Sequence, residues 1–387
     1  MAKFLRTTLA AALGLCTVVS AASAGGFSRG EADTDILYED GLVVMRTGAT
    51  YVNPNRQFDT VTIRGVAVQS DDDAYSDPYW IPTIAAKGRF SQNFACAFTY
   101  TQPFAASTTY GTDAQTADFL AGQPASRNYY SHKEFDTDEY GATCDVKFAA
   151  GPGNLHILGG VFLQDFSYRA DALYGVLRLE EDTAPGYRLG AAYDIPEYAM
   201  RAQLMYRSAI DHEVDGTFTP LALAPLLGTA PVAADGYGTL PQSLKFSLQS
   251  GIAPGWLAYG SVKWTDWSVL QALNYNIAGL PPQQDVYNWK DGWTIQGGIG
   301  HAFTEKVAGT FNVTWDKGVG TGADIMTDTW TFAAGTAIDV GPGELRLGAG
   351  LTYMTAGSQN FSEGATYSAT AGGDWAYAFS GTYRFSF

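Results

Sequence analysis

Large apolar side chains occupy every second position in many segments of the chain. In the last segment, "DWAYAFSGTYRFSF", aromatic residues recur at alternate positions from Trp375 to Phe387, and only Gly381 interrupts them. The segments "LKFSLQS", "GTFNVTWD" and "GELRLGAGLTYMT" repeat the alternation with polar or charged residues in between. Because successive side chains of a β-strand point to opposite faces, the pattern predicts strands with one apolar and one polar face. Such strands fit either a soluble sandwich or a membrane barrel whose apolar face contacts lipid.

The lengths of the strands and of their connections favour the membrane barrel. The predicted strands reach about ten residues or more, the length that a tilted span requires. Tight connections at Pro152, Ala253, Thr304 and Val340 alternate with long ones along the chain. Barrels with small periplasmic turns and large outer loops show this arrangement. We expect the long connections at residues 68–78, 105–128, 170–185, 218–237, 277–288 and 357–373.

The pattern therefore predicts an all-β fold, a transmembrane antiparallel β-barrel of about fourteen strands within residues 42–387. The preceding residues 25–41 are polar and acidic without alternation. This short, hatch-like segment lies either inside the lumen or free in the periplasm. The strands are expected at 42–58, 79–87, 93–104, 134–148, 154–169, 186–195, 197–217, 240–252, 255–274, 287–302, 306–317, 325–339, 343–356 and 374–387.

The beginning of the chain predicts export. Lys3 and Arg6 precede an apolar run, and "ASA" at 22–24 offers a cleavage site of small residues. This is the pattern of a signal peptide, here residues 1–24. No later stretch has the roughly 18 consecutive apolar residues of a membrane-spanning helix. Together with the barrel pattern, this predicts the bacterial outer membrane.

Composition and charge exclude other classes. The 387 residues include 39 acidic and 23 basic ones, a net charge of -16, and so acidic a chain is unsuited to nucleic acid. Aromatic content of 14% and 44 glycines fit turn-rich strands with aromatic girdles. The four histidines show neither metal-binding spacing nor a catalytic motif. We therefore predict no enzyme activity, no bound metal and no cofactor.

Several longer segments resemble a known family. "YAMRAQLMYRSAIDHEVDGTF", "LPQSLKFSLQSGIAPGWLAYGSVKWTDWSVLQAL", "WKDGWTIQGGIGHAF" and the terminal strand resemble the C-terminal half of FadL-type transporters. The most specific pieces are the "LP" that opens a strand, "WTDWS" at 264–268 and "WKDGW" at 289–293. "ATYVNPNRQF" and "YWIPTIAAK" resemble the first two strands more weakly. The resemblance implies a plugged fourteen-stranded barrel that passes long-chain fatty acids or aromatic hydrocarbons through the outer membrane by diffusion.

The sequence departs from this family in two places. The family's hatch is longer and carries an Asn-Pro-Ala motif, whereas about seventeen residues precede the first strand here. The family's internal site pairs basic residues with a carboxylate just before "WKDGW". Here "QQDVYNW" offers Asp285 and Tyr287 but no lysine. The basic partner, and with it the site for an anionic head group, is therefore expected at Lys290 or Arg169, which alternatively are loop-edge charges or lipid contacts.

An apolar segment lies in a predicted outer loop. Residues 219–233, "TPLALAPLLGTAPVA", expose an apolar patch unless they bind something or fold back on a neighbour. We expect Leu221, Leu223, Leu226 and Leu227 to capture a hydrophobic ligand. Packing over the barrel mouth and contact between molecules stay open as alternatives.

Pro103 interrupts the predicted third strand. Proline cannot donate to a β-ladder, so pairing with a neighbouring strand breaks locally. Either the strand simply ends there, or a lateral gap opens that is lined by Gln102 and Phe104. In the family, a kink in the third strand opens such a gap for sideways exit, and the resemblance favours this reading.

Cys96 and Cys144 each lie on the aromatic-bearing face of their strand. The two strands are expected to be neighbours, and both cysteines lie at similar distances from the periplasmic end. They form either a cross-strand disulfide or two buried thiols, depending on register.

The predicted partners follow from the barrel. They are a hydrophobic small-molecule ligand, outer-membrane lipid and lipopolysaccharide, and the barrel-assembly machinery through the C-terminal strand with its final Phe387. A water-filled general porin is the alternative function, because the hatch is short and the luminal face is charged. A structural or adhesive outer-membrane protein is a third.

Overall fold

The computed structural model describes residues 25–121 and 129–387. The predicted signal peptide lies outside the described residues. The strands are, in chain order, β1 (Val43–Asn53), β2 (Thr60–Ile63), β3 (Val66–Gln69), β4 (Tyr79–Ser91), β5 (Phe94–Thr101), β6 (Ala105–Thr109), β7 (Tyr130–Asp136), β8 (Glu139–Ala150), β9 (Gly153–Ala172), β10 (Gly175–Ile195), β11 (Met200–Arg207), β12 (Ile210–Pro220), β13 (Val232–Leu240), β14 (Ser243–Ala253), β15 (Trp256–Thr265), β16 (Ala272–Ile277), β17 (Gln283–Val286), β18 (Gly292–Ala302), β19 (Val307–Asp316), β20 (Thr329–Val340), β21 (Gly343–Met354), β22 (Gly357–Gln359), β23 (Ala369–Ala371) and β24 (Asp374–Ser386).

Fourteen antiparallel spans form a closed barrel, as predicted. The ring runs β1, β4, β5, β8, β9, β10, β11, β14, β15, β18, β19, β20, β21 and β24. It closes because β24 pairs with β1 along ten residues, from Val44 opposite Ser386 to Asn53 opposite Tyr377. The closed ring has no edge strand, which the interior of a bilayer demands.

The alternating pattern sorts side chains between lipid and lumen. In β24, Trp375 and Phe379 are 51% and 55% exposed, whereas Ala376 and Ala378 between them are buried. The large residues point outward and the small ones inward, the reverse of a soluble core. This outward apolar face is the surface that a barrel presents to lipid. No helix among the described residues is both long and apolar enough to cross a membrane.

Six of the spans are interrupted near the long-loop end, which we call the outer end. Above the interruptions, β6, β7, β9, β10, β12, β13, β16 and β17 continue as a second, open run of paired strands. This run walls in a space above the closed ring. Two short helices, α1 (Thr112–Leu120) and α2 (Ala224–Leu227), and a small sheet of β2, β3, β22 and β23 lie among the outer loops.

The long connection expected at 170–185 is wrong. Strands β9 and β10 continue through it and are joined only by residues 173–174. In this stretch Leu177 and Leu179 are buried, while Arg178 and Glu180 are exposed. The outward face therefore meets water above the bilayer, and its charges resemble those of a loop.

Candidate transport pathway

An apolar chamber fills the outer half of the barrel. Aromatic and aliphatic side chains from the second run of strands and from the outer loops pack there into one buried cluster. Its largest members are Phe104, Tyr130, Phe135, Phe166, Tyr168, Leu177, Leu179, Phe218, Leu240, Trp267, Leu270, Leu273, Tyr275, Ile277 and Trp289. Burying such side chains is the main favourable term in folding this half of the molecule.

The predicted capture leucines lie at the outer rim of this chamber. Leu223 and Leu227 are partly buried and pack against it. Leu221 and Leu226 are 56% and 70% exposed. Residues 221–227, which include α2, thus pack one pair of leucines against the chamber and expose the other pair.

At its inner end the chamber meets an interruption in the third span. Strand β5 ends at Thr101 and β6 begins at Ala105. Strand β4 pairs with β5 from Thr83 opposite Thr101 downward, so its upper residues have no such partner on this side. Pro103 and Phe104 are buried at the break. The third span is therefore interrupted here and resumes beyond.

Residues 25–41, the N-terminal segment, cover this break from inside the lumen. The amides of Arg29 and Gly30 donate to the carbonyls of Pro103 and Gln102, both at 2.8 Å. The amide of Ala105 donates to the carbonyl of Phe27 at 3.0 Å. The backbone groups that the break frees are thus satisfied by the segment rather than by β4.

Phe27 of the N-terminal segment reaches into the chamber. Its ring contacts those of Phe135, Tyr287 and Trp289 with centroid distances of 4.6, 5.3 and 4.5 Å. Trp267, fully buried, lies 6.1 Å away. Edge-to-face aromatic contacts of this kind favour one fixed ring position. The segment is therefore part of the chamber's floor.

Below this floor the lumen is polar and charged. This lower lumen holds a cavity of about 310 Å³, lined among others by Glu31, Asp33, Arg46, Glu139, Arg188, Arg201, Arg207, Lys245 and Lys263. Glu31 of the N-terminal segment accepts hydrogen bonds from Lys245 at 2.6 Å and from Lys263 at 2.9 Å. Burial by itself would raise the pKa of Glu31, but the two lysines hold it below its ordinary value.

A second anchor of the N-terminal segment is Glu39. Its carboxylate lies 2.6 Å from both Arg46 and Arg384, with Arg346 at 3.5 Å. Arg46 also binds Asp33 at 2.5 Å. Because these guanidinium groups belong to strands of the wall, the segment is tied across the lumen by ion pairs. Of the two sequence-based alternatives, the structure has the segment inside the lumen.

Comparison with known proteins decides the family. The family described as outer membrane protein transport protein (OMPP1/FadL/TodX) matches residues 170–385, more than half of the chain. The chain belongs to this family. The resemblance inferred from sequence is thus confirmed, as are the outer-membrane location and the absence of an enzyme role, because FadL/TodX proteins are outer-membrane channels.

Solved structures share the fold at low identity. A Pseudomonas aeruginosa FadL homologue has a TM-score of 0.71 at 14% identity, with 96% of this chain and 99% of that chain covered. The P. putida toluene transporter TodX has a TM-score of 0.61 at 12% identity, with 94% and 96% covered. For the CymD monoaromatic hydrocarbon channel the values are 0.58, 11%, 94% and 98%. No curated protein matches the sequence.

In this FadL/TodX-family barrel the apolar chamber contains the buried carboxylate of Asp285, which is paired with a partly buried lysine. The Nζ of Lys133 lies 2.8 Å from the carboxylate of Asp285, which also accepts from the hydroxyl of Tyr168 at 2.8 Å and of Tyr130 at 3.4 Å. The hydroxyls of Tyr130 and Tyr275 lie 3.0 Å apart. These partners compensate for burying a charge in apolar surroundings.

Lys133 is a residue that sequence reasoning missed. The signal was its position two residues before Phe135, on the same face of β7 as that apolar side chain. Arg169 and Lys290, the expected basic partners, are placed elsewhere. Arg169 is exposed and binds Asp171 of its own strand at 2.8 Å, and Lys290 is exposed in the connection between β17 and β18. The structure does not bring either one to Asp285.

Cys96 and Cys144 lie directly opposite each other on β5 and β8 and are joined by a disulfide. The bond ties the third span to the fourth on the periplasmic side of the break. The disulfide therefore holds β5 to β8 on one side, and β4 pairs with the other side of β5.

Proposed function

We propose that this FadL/TodX-family channel takes up hydrophobic molecules passively, such as aromatic hydrocarbons or long-chain fatty acids. The observation that carries the proposal is the continuous apolar packing from Leu223 and Leu227 at the outer rim to Phe104 beside the break. A dry path of this kind suits molecules that lipopolysaccharide keeps out and that water dissolves poorly. Two related structures, those of a toluene transporter and of a monoaromatic hydrocarbon channel, agree with it.

In this proposal the ligand is captured by the exposed Leu221 and Leu226 and enters the chamber. It leaves sideways through the break at 102–104 once the N-terminal segment withdraws. Phe27 supports this order, since the same short segment forms the floor of the chamber and covers the break. Ligand and floor then compete for the same aromatic contacts. Gln102, Pro103 and Phe104 as the lateral gap, and residues 25–41 as a hatch, are parts of the proposal.

A water-filled porin is the second candidate, and the polar cavity of about 310 Å³ favours it. Against it stand the ion pairs of Glu31 and Glu39, which hold the N-terminal segment across the lumen. Contacts with lipid and lipopolysaccharide, and recognition of the C-terminal strand with Phe387 by the assembly machinery, stay predictions.

The test is equilibrium binding of a fluorescent long-chain fatty acid, with toluene as competitor, to the protein purified in detergent. The variant changes Leu221, Leu223, Leu226 and Leu227 to serine. We expect saturable binding to the wild type and affinity weakened by about tenfold or more in the variant, because at least 1.4 kcal/mol of apolar contact is lost. A double variant of only Leu221 and Leu226 separates surface capture from packing.

The matched control changes Val66 and Val68 to serine, since both are exposed on an outer strand of the small sheet. It should bind like the wild type. No binding of either probe, together with steady ion conductance in planar bilayers, would reject hydrophobic uptake and leave the porin.

A further inference from the structure

A polar group faces a small cavity within the otherwise apolar chamber. The cavity has a volume of about 30 Å³ and is lined by Phe27, Phe135, Phe166, Leu240 and Leu273, among others. His212 of β12 belongs to the same lining and is only 3% exposed. Its ring lies 5.2 Å from that of Phe166. A polar imidazole is an unusual lining group for a cavity that binds only hydrocarbon.

One nitrogen of this imidazole is engaged and the other is free. Nδ1 lies 2.5 Å from the carboxylate of Glu181. Because a carboxylate accepts, Nδ1 carries the proton. Nε2 is buried and has no hydrogen-bond partner within residues 25–121 and 129–387. A buried polar atom without a partner is costly, so the site is short of one hydrogen-bonding group.

We propose that His212 Nε2 binds the hydroxyl of a phenol-type ligand, whose ring occupies the aromatic cavity. This specificity rests on the proposed uptake function and narrows its substrate class. A hydroxyl both donates and accepts, so it pairs with Nε2 whether the imidazole is neutral or protonated. A plain hydrocarbon leaves Nε2 unpaired.

An ionised carboxylate suits the site less well. Glu181 already lies against His212, and Asp285 lies 2.8 Å from the hydroxyl of Tyr168, another residue of the cavity wall. The basic group of the chamber, Lys133, is bound to Asp285 at 2.8 Å. The carboxylate of a ligand would therefore approach two like charges, whereas a neutral hydroxyl carries no charge to be repelled.

The cavity must enlarge to admit a ring, because a cavity that holds benzene has a volume of about 150 Å³. Phe27 is the wall that belongs to the N-terminal segment rather than to a strand of the barrel. Its withdrawal would open the space beside His212. Binding of the ligand and movement of the segment are thus expected to occur together.

Calorimetric titration of the full-length, detergent-purified protein with toluene, p-cresol and p-toluate tests the proposal. The three probes share one ring and methyl group and differ in a hydrogen, a hydroxyl or a carboxylate. We expect the wild type to bind p-cresol about tenfold more tightly than toluene. His212→Phe should bind both with equal affinity, and His212→Gln, whose amide can donate and accept, should restore part of the preference. His301→Phe, at the periplasmic end of β18, is the control.

Equal affinity of the wild type for p-cresol and toluene would overturn the hydroxyl site and leave hydrophobic uptake standing. So would a preference for p-cresol that persists in both His212 variants. Tightest binding of p-toluate would replace the hydroxyl site by a carboxylate site. If none of the three probes binds the wild type, both this site and uptake of aromatic molecules are rejected.

Discussion

The two halves of the lumen have opposite chemistry, although β9 and β10 run through both of them. Within β10, Leu177 and Leu179 face the apolar chamber, whereas Arg188 faces the lower lumen. The register shift between Glu181 and Ala184 separates them. The outer half is held by aromatic and aliphatic packing, and the periplasmic half by ion pairs. A change of chemistry along single strands indicates two compartments rather than one uniform pore.

The N-terminal segment joins the two compartments. Phe27 packs in the chamber, and Glu31 and Glu39 bind lysines and arginines of the lower lumen. Opening of the break therefore requires that both kinds of contact be lost. An apolar ligand competes only for the first kind, which confines its effect to the part of the segment around Phe27.

The largest effect is expected for the chamber's floor. Trp267 is fully buried, with ring centroids of Phe104 and Trp289 at 5.5 and 5.1 Å. Trp267→Ala should lower the free energy of unfolding by about 4 kcal/mol, because it leaves a large cavity. Denaturant titration in detergent measures this. Trp330→Ala, on the lipid-facing surface, is the matched control. Equal losses in the two variants would contradict a packed floor.

Breaking an ion-pair anchor should have a somewhat smaller effect on stability but a distinct effect on conduction. Glu39→Gln removes one of the two carboxylates that bind Arg46 and the nearer carboxylate of Arg384, at a cost of about 3 kcal/mol. We expect ion conductance in planar bilayers to rise as the N-terminal segment loosens. Asp40→Asn, at the exposed neighbouring position, should conduct like the wild type. Unchanged conductance in Glu39→Gln would mean that other contacts hold the segment.

Most of the fold could be predicted from sequence because lipid imposes a simple rule on each strand. Large apolar residues recur at every second position wherever a strand crosses the bilayer, so all fourteen spans were found. The rule fails above the bilayer, where Arg178 and Glu180 face water and the outer half of β10 was expected to be a loop. The chemistry of an outward face depends on its height relative to the membrane, which alternation does not encode.

The chamber's polar contacts could be predicted less well because they join distant parts of the chain. Lys133 and Asp285 are 152 positions apart. The register that brings Tyr130 to the same site includes an irregularity between Tyr130 and His132. Local patterns do not specify such irregularities. The pairing of Cys96 with Cys144 also stayed one of two alternatives, because residues 102–138 join β5 to β8 and no tight turn fixes the register of these two strands.

Removal of the disulfide is expected to have a moderate effect. Cys96→Ser combined with Cys144→Ser opens a link between positions 48 residues apart. We expect a loss of about 2 kcal/mol in the free energy of unfolding, since the unfolded chain gains freedom. Ligand binding should stay unchanged, because neither cysteine belongs to the chamber. Reduction of the wild type should reproduce the shift, and a variant as stable as the wild type would argue against the link.

The smallest effect concerns pH at the outer edge of the chamber. Asp324, in the loop before β20, accepts a hydrogen bond from Nε1 of Trp289 at 2.8 Å, and burial raises the pKa of Asp324 to about 7. Since the folded protein holds this proton more tightly than the unfolded chain, the stabilisation is complete below about pH 4 and is lost as pH rises through about 7. We expect a change of about 1 kcal/mol, because Asp324 is partly exposed and contact with solvent lowers the cost of its charged form. Asp324→Asn keeps an acceptor for Trp289 and should remove this slope from unfolding titrations between pH 4 and 8. Parallel curves for variant and wild type would show that the carboxyl does not titrate in this window.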